Sequence, residues 1–271
     1  VRLLDFIALS VAFSFLLPCE ADQTPQNPSE LIVTSKFAFD QNGVPKTDVS
    51  GNLSYLKNRF SPASTFKTYW ALSLLENRVV DPKKKIRIFD EHIPGSPREV
   101  DLREALFYSS NDYFETLWPS LGRVALEITL RNLGYGPVLG IAHAGKKGRL
   151  PKDWWKGEKA LKHGGGIRLL PEEIHSNWVS VFWKKPSRID EGTYRLWREA
   201  LSWSDCPEKK GKIFGKTGSW EGNYWFQGTF VPEDGGDYVA ITILNKSKVA
   251  SREKTILRFY EIVGCVMPSL N

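Results

Sequence analysis

The sequence predicts a mixed α/β fold of the α+β kind, with strands and helices segregated along the chain rather than alternating. Three observations carry this. From Lys212 onward the chain turns into short β-branched and aromatic runs broken by turn residues, the pattern of an antiparallel meander. Its middle instead holds apolar residues at helical spacing behind recognisable start signals. There is no internal repeat and no regular strand-helix alternation, which argues against a doubly wound sheet or a barrel. With 271 residues, 41% hydrophobic and 13% aromatic, the chain can bury a sizeable core.

In chain order, residues 1–21 read as a secretory signal peptide. Arg2 is their only cation, and the uncharged run from Phe6 to Leu17 stops at Pro18, short of the ~20 apolar residues that span a bilayer. Cleavage after Ala21 would leave a secreted or periplasmic protein; an uncleaved anchor and a lipoprotein acylated at Cys19 are the alternatives. Residues 22–30 are polar and proline-bearing and read as a flexible leader, with one catalytic domain over 31–271. First strands are expected near Leu31–Val33 and Lys36–Phe39, then a loop or hairpin from Asp40 to Asn52. Pro62 opens a helix that shows Phe66, Tyr69, Trp70, Leu72 and Leu75 on its way to Asn77. Asp101 and Glu104 form a capping box for a second helix. Further helices are expected over Arg123–Leu133, Pro171–Trp183 and Glu191–Trp203. Strands over Lys212–Thr217, Tyr224–Val231 and Tyr238–Leu244 precede a closing helix from Arg252 to Val263.

The net charge of +6 is scattered, and no Lys/Arg stripe with interleaved aromatics argues for nucleic acid. His92, His143, His163 and His175 lie too far apart in sequence for a metal motif, so no metal is expected. Cys206 and Cys265 could form a disulfide in an oxidising compartment or stay as two buried thiols; the sequence leaves both open.

The chemistry rests on spacing. A serine hydroxyl is a weak nucleophile until a base takes its proton, and a lysine whose charge is disfavoured can be that base. Ser64-Thr65-Phe66-Lys67 places the two side chains three residues apart, on one helix face. A serine in a helix's first turn also lies among unpaired N–H groups able to steady an oxyanion. Ser54 with Lys57 and Ser251 with Lys254 show the same spacing, but only Ser64 has both the proline-marked start and the apolar face behind it. Ser109-Ser110-Asn111 follows the capped helix, and Lys216-Thr217-Gly218 lies on the first strand of the meander. The order Ser-x-x-Lys, Ser-x-Asn, Lys-Thr-Gly is the motif set of serine penicillin-recognising enzymes.

The segment Arg59-Phe60-Ser61-Pro62-Ala63-Ser64-Thr65-Phe66-Lys67 resembles the active-site stretch of class D β-lactamases. Trp154-Trp155-Lys156-Gly157 and Lys248-Val249-Ala250-Ser251-Arg252 are similar to two further segments of that family. The resemblance implies a five-stranded antiparallel sheet flanked by helices, a helical subdomain, and a site between them. It implies Ser64 as the acylated nucleophile and Lys67 as its base, carbamylated by carbon dioxide, with Trp154 hydrogen-bonding the carbamate and no other cofactor. Ser109 would relay a proton, Ser64 and Ser219 would supply the oxyanion N–H groups, and Lys216, Thr217, Gly218 and Arg252 would bind the substrate.

Two positions differ from the family. Asn111 stands where class D enzymes usually have valine, and Tyr135-Gly136-Pro137 where they have Tyr-Gly-Asn. Asparagine at the first is what penicillin-binding transpeptidases and penicillin sensors use, where its amide can bind the substrate's acyl side chain. Gly148–Pro151 and Gly164–Pro171 also resemble transpeptidase domains. The expected partner is thus a β-lactam or peptidoglycan-peptide substrate. The expected function is β-lactam hydrolysis, with a D,D-transpeptidase or carboxypeptidase, or a non-hydrolysing penicillin sensor, as alternatives. Glu173 and Asn177 match the class A pair that activates water, but acidic residues just after a proline commonly open a helix, and that reading is preferred here.

Overall fold

The computed structural model describes residues 29–39, 44–136 and 166–270. Its centre is a six-stranded antiparallel sheet ordered β2-β1-β8-β7-β6-β5, made from β1 (Glu30–Phe37), β2 (Lys46–Gly51), β5 (Ser202–Cys206), β6 (Gly211–Trp220), β7 (Asn223–Pro232) and β8 (Tyr238–Asn245). A separate ribbon pairs β3 (Ile86–Ile88) with β4 (Arg98–Val100).

The period of two along each strand divides the core into two layers. Leu31 and Val33 belong to the larger cluster and Ile32 to the smaller; Trp225 and Phe226 divide in the same way, as do Phe214 and Ile213. The smaller layer lies under α6 (Arg252–Val263), whose Ile256, Phe259 and Tyr260 are fully buried against Phe226, Ile241 and Ile243. The larger layer packs on α4 (Pro171–Trp183) and on the helical lobe formed by α1 (Lys67–Glu76), α2 (Leu102–Tyr108), α3 (Asp112–Leu133) and α5 (Glu191–Ala200).

Polar ties fix α1 within that lobe. Trp197 Nε1 donates to Thr68 O at 2.8 Å, and Thr129 Oγ1 donates to Glu76 Oε2 at 2.6 Å. A buried amide or hydroxyl without a partner costs a few kcal/mol, so such bonds select one placement of α1 over its neighbours.

The expected class holds, with changes in the elements. The sheet has six strands rather than five, because Ser202–Cys206 extends where a helix was expected to run on to Trp203. The helix stops at Ala200, and Trp203 instead packs on Phe107 and Phe226, with ring centroids 4.6 and 5.2 Å away. Lys46–Gly51, expected as loop, pairs with β1, and the two expected first strands are one. The helix expected from Arg123 is the second limb of α3, whose axis breaks at Gly122 (φ 71°, ψ 165°). Cys206 and Cys265 form a disulfide, with Cα atoms 5.6 Å apart, tying β5 to the chain just past α6. No helix of the described residues is long and apolar enough to cross a membrane.

Candidate active site

Ser64, the expected nucleophile, sits on a turn held from both sides. Residues Ala63–Phe66 form one 3-10 turn that runs directly into α1, and Ala63 before the serine takes a left-handed backbone (φ 50°). Such a conformation is costly for a residue with a side chain and persists only where its surroundings impose it. Here Ser61 Oγ accepts from Ala63 N at 3.1 Å, and Pro62 O accepts from both Thr65 N (3.2 Å) and Thr65 Oγ1 (2.6 Å). Ser64 N lies between these satisfied groups and has no acceptor among the described residues.

A second N–H follows from strand parity. β5 pairs with β6 only as far as Ser202 opposite Phe214, and the last bond on that side runs from Gly215 N to Leu201 O at 3.0 Å. Alternate N–H groups of a strand point to the same side. Thr217 N and Ser219 N therefore face the same open edge, where the Ser64 turn lies. Gly218 permits the approach: a Cβ there would stand 3.0 Å from Thr65 Cγ2 and 3.1 Å from Pro62 O. Ser64 N and Ser219 N, the pair that the family resemblance implies as oxyanion donors, thus lie on the same open edge.

The Ser-x-Asn element arrives through a strained cap. Ser109 ends α2 in a left-handed conformation (φ 64°, ψ 37°), which divides its two oxygens between two amines. Its carbonyl accepts from Lys67 Nζ at 2.8 Å and its hydroxyl accepts from Lys216 Nζ at 2.9 Å. Lys67 Nζ also donates to Asn111 Oδ1 at 2.7 Å, and Lys216 Nζ to Thr217 O at 3.0 Å. Both lysines are buried, and the Lys67 N–H is bonded back to Ser64 O. Burial first, then the charges of Lys67 and Arg252, hold the Lys216 amine well below the usual lysine range. Two buried amines sharing Ser109 thus make the ammonium form of Lys216 harder to keep.

Arg252 starts α6 and reaches across to the helical lobe, donating to Phe107 O at 2.6 Å and to Thr217 Oγ1 at 3.4 Å. Burial lowers its pKa from the ordinary arginine value. Ser64, Ser109, Asn111, Thr217, Gly218, Ser219 and Arg252 line one cavity of about 330 Å³, together with His92 and Tyr108, which the sequence did not single out. Two larger cavities, one around Lys184–Arg188 and one around Met267–Leu270, do not include Ser64.

Asp90 was missed as well. It is buried and takes hydrogen bonds from Ser110 Oγ, from Asn111 N at 2.9 Å and from Asp112 N at 3.2 Å. A carboxylate on the first N–H groups of α3 is favourable and pins the Ser109–Asn111 corner. Only tertiary structure carries the β3–β4 loop to that helix, so no local sequence signal marks Asp90.

The sequence profile of the penicillin binding protein transpeptidase domain matches residues 24–175, more than half of the chain. The chain belongs to this family. The fold is shared with solved β-lactamases. BPu1 beta-lactamase is 18% identical with a TM-score of 0.63, covering 88% of this chain and 94% of that one. Class D beta-lactamase BAT-2 is 16% identical with a TM-score of 0.64, covering 88% and 93%. The BSU-2 delta mutant, also class D, is 17% identical with a TM-score of 0.60, covering 88% and 93%. No curated protein matches the sequence.

Within this penicillin-binding fold the remaining sequence candidates find other roles. Glu173 is spent on Arg59 (2.7 Å) and on Leu170 N (2.8 Å), so it opens α4 as the proline-led reading expected. Asn177 holds both the N–H and the carbonyl of Gly136. His175 is buried between Ser35 and Thr242, behind the sheet's larger layer. Among the described residues, a possible ligand group of Cys206, Glu208 and Cys265 has both sulfurs taken by the disulfide. Trp154 lies outside the described residues, as do residues 1–28.

Proposed function

We propose that this chain is a serine acyl-transferase in which Ser64 takes the acyl group of a β-lactam or of a D-alanyl cell-wall peptide, and that the acyl-enzyme then releases slowly. One observation carries the reading: Ser109 is bonded to two buried amines at once, Lys67 and Lys216, in the cavity that Ser64 lines. A neutral amine in that cluster accepts the Ser64 proton as Oγ attacks the substrate carbonyl. The carbonyl oxygen becomes an oxyanion facing Ser64 N and Ser219 N. The proton then passes through Ser109 Oγ to the departing nitrogen, while Thr217 and Arg252 face the carboxylate next to it.

Release is where the readings part, because hydrolysis of the ester needs a base that survives acylation. A carbamate on Lys67 would add that base in a class D mechanism. Its remaining Nζ–H would still donate to Ser109 O, while its oxygens would need donors of their own, and the expected one, Trp154, lies outside the described residues. Ser109 O and Asn111 Oδ1 both accept from the Lys67 amine, which supports an uncarbamylated lysine and slow release. Hydrolysis with turnover remains the second reading, favoured by the Pro62–Lys67 and Lys248–Arg252 segments and by the position of Arg252 in the cavity.

A chromogenic cephalosporin with and without bicarbonate separates the two. A burst near one equivalent followed by a slow phase, unchanged by bicarbonate, supports slow release. Many turnovers stimulated by bicarbonate would overturn it in favour of hydrolysis.

A further inference from the structure

We infer that His92 forms a subsite for a carboxylate on the acyl side chain of the substrate, distinct from the carboxylate faced by Thr217 and Arg252; this deepens the acyl-transferase reading and rests on it. His92 is the exposed tip of a tight turn. Ile93 N donates to Asp90 O at 3.0 Å, closing the turn over Glu91 and His92. Both ends are fixed, since Ile93 is 2% exposed in the main core and Asp90 is bonded to Ser110, Asn111 and Asp112. The imidazole therefore reaches the cavity on a firm mount tied to the corner that carries Asn111.

The hydrogen-bonding character of that side follows from Asn111. Its Oδ1 faces Lys67 Nζ at 2.7 Å, which turns Nδ2 away from the lysine. Asn111 Nδ2 and the His92 ring then both offer donors on the helical side of Ser64. Asp90 does not compete for them, being engaged with the start of α3, and neither it nor Glu91 lines the cavity. Arg252, which lines the cavity, adds a positive field that favours a second anion. A ligand group with acceptors only, negatively charged and carried by the acyl part of the substrate, matches this wall best. A carboxylate has that chemistry.

The test compares acylation of the full chain by benzylpenicillin and by its α-carboxy analogue, which differ in that carboxylate alone, for the native protein, His92→Ala and His92→Gln. The native chain is expected to prefer the carboxylated penicillin about 5- to 10-fold. His92→Ala should abolish the preference, read as the ratio of the two acylation rates within the same variant, and His92→Gln, which keeps a donor, should retain part of it. Labelling by both penicillins at a ratio unaltered by His92→Ala would overturn the subsite alone. Failure of both to label the native chain would overturn the acyl-transferase reading and the subsite with it.

Discussion

Acidification should unlock the interface between α4 and the sheet through His175. The ring is 1% exposed and bonded to Ser35 Oγ at 2.8 Å and Thr242 Oγ1 at 2.9 Å. Burial pushes its pKa down to about 3, against an ordinary histidine value near 6.5. The unfolded chain therefore takes up a proton below pH ~6.5 that the folded chain refuses. Its contribution is complete above that pH and is lost as the pH falls toward 3. At about 1.36 kcal/mol per pH unit, the loss by pH 5 is about 2 kcal/mol, growing to about 4 kcal/mol near pH 3. The assay is urea denaturation at pH 8 and pH 5 for the native chain and His175→Gln. The variant is less stable at both pH values, but it lacks the titrating group. Its stability should fall about 2 kcal/mol less between the two pH values than that of the native chain. An equal fall in both proteins would refute the assignment of a neutral, desolvated ring.

Three further outcomes follow from the geometry. Gly218→Ala should push the Thr65 turn away from β6 and lower the penicillin acylation rate about 100-fold, with thermal stability nearly unchanged, since a small misplacement of an oxyanion donor costs that much. Asp90→Ala should cost about 2–3 kcal/mol in urea unfolding and also slow acylation, because it releases the Ser109–Asn111 corner. Reducing the Cys206–Cys265 disulfide, which closes a sequence separation of 59, should lower stability by about 4 kcal/mol on the chain-entropy account, measured by denaturation with and without reductant.

Much of the site was legible because its chemistry is tied to short spacings. Ser64 and Lys67 are three apart on a turn that begins at a proline, and Ser109 and Asn111 flank a corner announced by the Asp101 capping box. The helix starts were equally readable, as at Pro171 and Asp190, where side chains cap backbone N–H groups within a few residues. Non-local features were not. β5 depends on Trp203 finding Phe107 and Phe226, far along the chain, and that packing overrode the helical pattern of Glu191–Trp203. β2 is half-exposed and rich in turn-forming residues, and it is a strand only because β1 offers it an edge. Asp90 and His92 reached the site on a loop whose placement comes from its burial rather than from any motif. Lys216 was expected to bind the substrate; its hydrogen bond to Ser109 Oγ, which no spacing announced, was not foreseen.

The account stands or falls on covalent capture at one oxygen. The chain should be incubated with benzylpenicillin, its intact mass measured, and the modified peptide located. Ring opening by a hydroxyl loses no atoms, so the mass should rise by one whole penicillin, on the peptide that contains Ser64, with no gain in Ser64→Ala. An unchanged mass at saturating penicillin, or an adduct that survives in Ser64→Ala, would contradict it.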